Sequence, residues 1–286
     1  MILTDYAYAK INLSLDVISK RADGYHDLKM VVQSVNLRDE VTVECVPGEG
    51  VRIADPGFSF LPDDERNIAA KAANAFFGYA GISGWQAIIR IKKNIPVGAG
   101  LGGGSADGAC VLRMLDRMFG TKYSREDFVG LGIAVGSDVP VCILGGTKLV
   151  EGRGEVLTDI SPLPHCHVVI CKPWFTCSTP ELYKRIDCKN IRIRPDTDGL
   201  IRAIGKGDLA DASRYLYNVF EDVLPRGKRD IEDIKYAMLD SGALGAAMSG
   251  SGPSVFGLFN NEANARLAYE NLVPLYKDCF ITQTAC

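Results

Sequence analysis

The run Pro96-Val97-Gly98-Ala99-Gly100-Leu101-Gly102-Gly103-Gly104-Ser105-Ala106 holds five glycines within seven residues, between a strand-like and a helix-like segment. Glycine lets backbone N–H groups approach an anion without interference from a β-carbon. A helix beginning there adds unpaired amides and the positive end of its dipole, so the guest this run suits is a phosphate. Two familiar phosphate loops are excluded. Gly98-x-Gly100-x-x-Gly103 matches the dinucleotide fingerprint in letters, but the following helix leads into Lys122-Tyr123-Ser124-Arg125-Glu126-Asp127 and another helix, not into the second strand of a βαβ unit. A Walker A loop ends Gly-Lys-Ser/Thr, and this one ends Gly104-Ser105 with no lysine.

Other residues could do chemistry beside a phosphate. Lys10 and Asn12 are two apart on an alternating segment and so share a face; taken alone, Lys10 also reads as a solvated strand lysine. Asp138, in Gly136-Ser137-Asp138-Val139-Pro140, is a possible general base, although an aspartate in that setting is commonly a turn or cap residue. Ser105 reads equally as a helix N-cap or as a ligand of a metal or phosphate. His165-Cys166-His167 invites a metal, but neighbouring strand side chains point to opposite faces, so the run reads as ordinary strand.

Three motifs together resemble the GHMP kinases: Ala9-Lys10-Ile11-Asn12-Leu13, the glycine loop, and Met248-Ser249-Gly250-Ser251-Gly252-Pro253-Ser254, in that family's order across nearly the whole chain. Lys20-Arg21-Ala22-Asp23-Gly24-Tyr25-His26-Asp27-Leu28 looks like the branch that phosphorylates a cytidine-diphosphate ester of methylerythritol on the non-mevalonate route to isoprenoids. Ala106 stands where a second serine is common, and Ser137 where alanine is common. The resemblance implies an α+β, two-domain fold: a ribosomal protein S5 domain 2-like N-terminal domain and a ferredoxin-like C-terminal one. It further implies ATP with Mg²⁺, and transfer of the γ-phosphoryl group to the 2-hydroxyl of the acceptor. Residues 96–106 would hold the ATP phosphates, Asn67 would lie near adenine, and Ser105 would be a metal ligand. Asp138 would be the base, with Lys10 supporting it and the developing alkoxide. Asn12 and Thr179 would bind the acceptor, and Tyr25, His26 and Tyr183 its cytosine; a buried helix tyrosine is the competing reading of Tyr183.

Rival readings are a homoserine or mevalonate kinase, a decarboxylase-like lyase of the same fold, and a nucleotide-binding module without activity. The first lacks a reason for residues 24–28, and the last would tend to lose Lys10 or Asp138.

Periodicity supplies the elements that must position these groups. Residues 6–17 alternate as a half-buried strand, 28–37, 40–46, 51–54 and 85–92 read as further strands, and 67–79 as an alanine-rich helix. Helices follow over 105–119 and from Ser124 to 135, and 141–150 reads as strand. Beyond a boundary near 160, dividing domains 1–160 and 161–286, a strand over 166–171 precedes helices near Glu181, Leu200, Leu209 and Ile231. Strands over 245–248 and 254–259, a helix over 264–272 and a strand over 278–282 complete the chain.

Composition narrows the class. The chain of 286 residues is 47% hydrophobic and 23% charged with a formal charge of −3, which offers no general attraction to nucleic acid or anionic membranes. Nine scattered cysteines without a C-x-x-C pair suit a reducing compartment. No signal peptide or spanning segment is expected, so the reading is a cytoplasmic enzyme with a small-molecule partner, as a monomer or weak homodimer.

Overall fold

The computed structural model describes residues 1–189 and 191–285. Contacts divide the chain into two compact units, neither continuous in sequence: Met1–Ala9, Leu37–Val97 and Gly102–Leu144 form one, and Lys10–Asn36, Gly98–Leu101 and the chain from Gly145 onward form the other. The sequence reading cuts once, near 160. Two long strands, β1 (Ile2–Lys20) and β2 (His26–Pro47), contribute one part to each unit.

In the first unit β2 pairs antiparallel with β4 (Trp85–Lys92), and β3 (Gly50–Asp55) pairs parallel with β4. Between β3 and β4 in the chain lies α1 (Ile68–Ala80); after β4 come α2 (Gly103–Phe119), α3 (Arg125–Val135) and α4 (Val139–Leu144). Val41, Val43, Ile89 and Ile91 meet Ala69, Ala73, Phe76, Leu112 and Leu115 in one core. Small residues on α1 and α2 allow this approach: a β-carbon at Gly108 would lie 2.9 Å from the Ile68 side chain. The expected helix N-cap at Ser124 is present as a capping box with Asp127.

Two expectations are corrected here. Residues 28–37 and 40–46 are a single strand, β2, because Asp39 is buried within it and bonded by neighbours. The strand expected over 141–150 is instead α4 followed by β5 (Thr147–Gly152). Pro140 suits a helix's first turn, where no N–H is needed, and the Gly145-Gly146 pair separates helix from strand.

In the second unit β5 pairs antiparallel with β2, and β6 (Val156–Asp159) with β5. Then come β7 (His167–Lys172), α5 (Thr179–Cys188), α6 (Thr197–Gly205), α7 (Leu209–Ser213) and the short β8 (Tyr217–Asn218), which pairs parallel with β1. The chain closes with α8 (Lys228–Asp240), β9 (Gly245–Met248), β10 (Val255–Phe259), α9 (Glu262–Leu272) and β11 (Asp278–Gln283). The sheet order β11-β7-β10-β9, antiparallel throughout, is the ferredoxin-like order expected of this half. The half-buried strand expected over 6–17 is corrected: its polar face is buried too, at Lys10, Asn12, Ser14 and Asp16. Partners make this tolerable. Ser14 Oγ accepts from Val31 N at 3.2 Å, and Arg194 donates to Asp16 at 2.6 Å. No helix among the described residues is long and apolar enough to cross a membrane.

Candidate active site

In the second unit parts of all three motifs meet: residues 10–13, Gly98–Leu101 and the turn at 248–254. Lys10 N donates to Leu101 O at 3.0 Å, and Ser254 N to Ala99 O at 3.2 Å. Ser249 Oγ accepts from Asn12 N at 3.3 Å and donates to Gly100 O at 3.0 Å. Asn218 holds the late turn from below, its Nδ2 donating to both Met248 O and Gly250 O at 2.8 Å. Glycine is obligatory at two of these contacts. Gly100 has φ +77°, and a β-carbon there would sit 2.0 Å from Ser249 O. Gly250 has φ +57°, and its β-carbon would lie 2.9 Å from Gly100 O and 3.2 Å from Lys10 Nζ. The buried Lys10 Nζ donates to Asn12 Oδ1 at 2.7 Å. The structure therefore brings Lys10 and Asn12 together against the glycine turn.

The segment at 20–28 forms the turn between β1 and β2. Arg21 N donates to Tyr25 O at 2.8 Å, Asp23 accepts from Tyr25 N at 3.1 Å, and Arg21 bridges to Asp27 at 2.8 Å. Tyr25 projects with its ring covered on one face by Arg153, 3.7 Å from the ring centroid. His26 stacks on Tyr183 with centroids 4.6 Å apart and planes at 20°. Thr179 opens α5 and its hydroxyl lies 2.8 Å from Ser251 Oγ, joining that helix to the late glycine turn. Ser178 caps the helix, its side chain accepting from Glu181 N.

In the first unit, α2 starts two residues earlier than the sequence suggests. Its N-cap is Gly102, which has no side chain to offer, and Ala106 N makes the first intrahelical bond, to Gly102 O at 2.8 Å. The N-cap reading of Ser105 is thus corrected: Ser105 sits inside the first turn. The amides of Gly103, Gly104 and Ser105 precede that first bond, and no acidic residue occupies the first turn, so the donor set suits the oxygens of a triphosphate. Asn67 caps α1, accepting from Ala69 N at 2.9 Å and donating to Pro62 O at 2.8 Å. Asp138 immediately precedes α4, its carbonyl accepting from Cys142 N at 3.3 Å. Pro96 and Val97 end the first unit's run before the loop.

Sequence reasoning missed a buried cluster in this unit. Lys93 donates to Asp39 and, at 2.7 Å, to Asp107 on α2. Asp39 also accepts from Asn94 N at 2.5 Å and Ile95 N at 2.8 Å, so one carboxylate holds the backbone leading into the loop. Lys93 Nζ lies 3.4 Å from where a Gly103 β-carbon would be. Burial lowers the Lys93 pKa, but Asp107 and Asp39 together outweigh it and raise the group. Burial is also the chief influence on Asp107 and pushes its carboxyl up to about 7, against the pull of Lys93 and with the help of Asp39. Among the described residues Asp107 Oδ1 has no hydrogen-bond partner. The only sequence signal was an acidic residue on an otherwise apolar helical stretch.

A stability prediction follows from the surplus negative charge of this cluster. The folded protein holds the Asp107 proton to higher pH than the unfolded chain, whose aspartates titrate near 3.8. That stability is fully present below about pH 4 and is lost as pH rises through about 7. Asp107→Asn mimics the protonated form. Relative to wild type it should gain stability progressively between about pH 4 and about pH 7, and no further above that, in urea titrations. A wild-type–variant difference independent of pH would show that Asp107 remains ionised throughout.

Comparisons with known proteins place the chain in a family. Residues 67–146 match the GHMP kinases N terminal domain and residues 200–277 the GHMP kinases C terminal domain. The chain is 44% identical over 278 residues to the 4-diphosphocytidyl-2-C-methyl-D-erythritol kinase of Clostridium kluyveri, covering 97% of this chain and 98% of that one. It is 42% identical over 276 residues to the enzyme of the same name from Alkaliphilus metalliredigens, covering 96% and 94%. A crystal structure of 4-(cytidine 5'-diphospho)-2C-methyl-D-erythritol kinase superposes with a TM-score of 0.83 at 29% identity, over 99% of this chain and 100% of that chain. A homoserine kinase from Cytophaga hutchinsonii shares the fold, with a TM-score of 0.77 at 21% identity over 99% and 94%. With its two-domain α+β fold, its converging motifs and full-length relatives of one name, the chain belongs to the GHMP kinase family, among the 4-diphosphocytidyl-2-C-methyl-D-erythritol kinases.

Proposed function

We propose that the protein transfers the γ-phosphoryl group of ATP to the 2-hydroxyl of 4-diphosphocytidyl-2-C-methyl-D-erythritol, yielding the 2-phosphate and ADP for isoprenoid synthesis. The observation that carries the reading is the convergence of Lys10, Asn12, Gly100 and the 249–254 turn, which builds a lysine beside glycine backbone. Phosphoryl transfer asks a protein mainly for positioning and charge stabilisation, because its transition state is loose. Residues 96–106 hold the phosphates, the open amides of Gly103, Gly104 and Ser105 taking their oxygens. Mg²⁺, when bound with ATP, would supply further charge neutralisation, and the Ser105 hydroxyl is the group we assign to hold it. Asp138 removes the acceptor proton, Lys10 stabilises the alkoxide that develops, and Asn12 and Thr179 orient the acceptor. Asn67, the N-cap of α1, is the residue we assign to the neighbourhood of adenine. Tyr25, His26 and Tyr183 receive the cytosine, an aromatic group with a directional polar edge.

The test is the purified protein with ATP·Mg²⁺ and three acceptors: the cytidyl ester, homoserine and mevalonate. Only the first should gain the mass of one phosphate. Preference for either of the others would overturn the acceptor while leaving a GHMP kinase. Base recognition is tested in the same assay with Tyr25→Ala. That variant should lose about 10- to 100-fold in kcat/KM on the cytidyl ester, the worth of one stacked base. It should change by less than about twofold on an acceptor without the cytidyl half, since the removed contact is then absent. Equal losses on both acceptors would mean that Tyr25 supports the fold and does not read the base.

A further inference from the structure

An imidazole can read a base edge only if its proton stays on one nitrogen. In this protein the second unit supplies a device for that. His26 Nε2 lies 2.7 Å from Asp187 Oδ1, and Lys20 Nζ donates to the other oxygen of the same carboxylate at 2.6 Å. A carboxylate has lone pairs and no proton to give, so the nitrogen facing it must be the protonated one. Asp187 is kept a carboxylate: the hydrogen bond from Lys20, then that from His26, hold it below the usual range. The ring is also fixed in orientation. Tyr183 stacks on it, Phe220 meets Tyr183 edge-on with centroids 5.1 Å apart and planes at 89°, and only 8% of the His26 side chain is exposed. Neither Asp187 nor its pairing with the turn at 20–28 belongs to any of the three glycine-and-lysine motifs.

We propose that Asp187, anchored by Lys20, is a positioning residue that locks His26 as the Nε2–H tautomer and so selects cytosine over uracil. With its proton on Nε2, the neutral ring keeps a lone pair on Nδ1. That lone pair accepts from the exocyclic amino group of cytosine and faces unfavourably the carbonyl that uracil carries at the same carbon. The proposal rests on the cytidyl acceptor assigned above.

The experiment has two arms. Long-range ¹⁵N–¹H spectra of the wild-type rings at alkaline pH need no variant. The chain has three histidines, so single substitutions of His165 and His167 assign His26. The expected pattern is a protonated Nε2 and an unprotonated Nδ1; a proton on Nδ1 overturns the proposal. In the second arm, kcat/KM is compared for the cytidyl ester and its uridyl counterpart. In Asp187→Asn the amide oxygen should turn to Lys20 and its NH₂ to the ring, moving the ring proton to Nδ1. The cytidyl-over-uridyl ratio should then fall at least about tenfold, mainly through KM. Asp187→Glu, which keeps a carboxylate, should restore most of it. Phosphorylation of neither ester overturns the acceptor assignment and this base selection with it. A cytidyl preference that survives Asp187→Asn overturns only the role of Asp187.

Discussion

Asp138→Asn is expected to reduce kcat by about 100- to 10,000-fold, the usual worth of a general base, while ATP affinity stays within about twofold. Asparagine keeps the size of the side chain but not its basic oxygen. The backbone bond from Cys142 N to the Asp138 carbonyl does not involve the side chain, so the substitution leaves that bond in place. The variant should therefore retain native circular dichroism. The measurement is steady-state turnover on the cytidyl ester, alongside nucleotide binding by calorimetry. A variant that keeps near wild-type kcat would reduce Asp138 to a residue that opens a helix, and the proton would need another acceptor.

Gly100→Ala should be the most damaging single-atom-scale change in the chain. The added β-carbon would stand 2.0 Å from Ser249 O and 2.9 Å from Gly252 N, both backbone atoms that no rotamer change can move aside. Position 100 also has φ +77°, where an alanine is strained before any neighbour is considered. The loop at 98–101 and the turn at 249–254 must separate, and with them goes the bond between Ser249 and Gly100. A loss of about 4 kcal/mol, with a fall in Tm of roughly 10 °C, follows from the size of such effects. Activity should fall further than stability at permissive temperature, since Lys10 and Asn12 lean on the same turn. Gly207→Ala is the control. It has φ +70° but nothing within 4 Å of a new β-carbon, so it isolates backbone strain from collision. Equal destabilisation by the two variants would show that the contact with Ser249 is unimportant.

The glycine loop and its companions were legible because their demands are local. A positive φ or a crowded β-carbon excludes other residue types at that position, and the residue type is what a sequence records. Element types were legible for the same reason: the 3.6-residue period of α2 and the alternation of β1 are properties of single segments. The misreadings have a common cause. Residues 141–150 contain apolar, β-branched letters that suit strand or short helix equally, and Pro140 with Gly145 and Gly146 decides between them only once the helix has somewhere to pack. The polar face of β1 looked like a solvent face, yet Ser14 and Asp16 are buried because distant groups satisfy them.

Pairings across long stretches of chain were not legible at all. Lys93 meets Asp107 from 14 residues away and Asp39 from 54; His26 meets Asp187 from 161. Each of these side chains, read in its own segment, is an ordinary charge that water could solvate. Folding removes the water and makes the nearest opposite charge or donor the only remedy, so a group acquires its role from whatever is packed beside it. Sequence thus settles which backbone can be glycine and which segments coil or extend. Packing settles which charges are neutralised, which protons are held, and on which nitrogen.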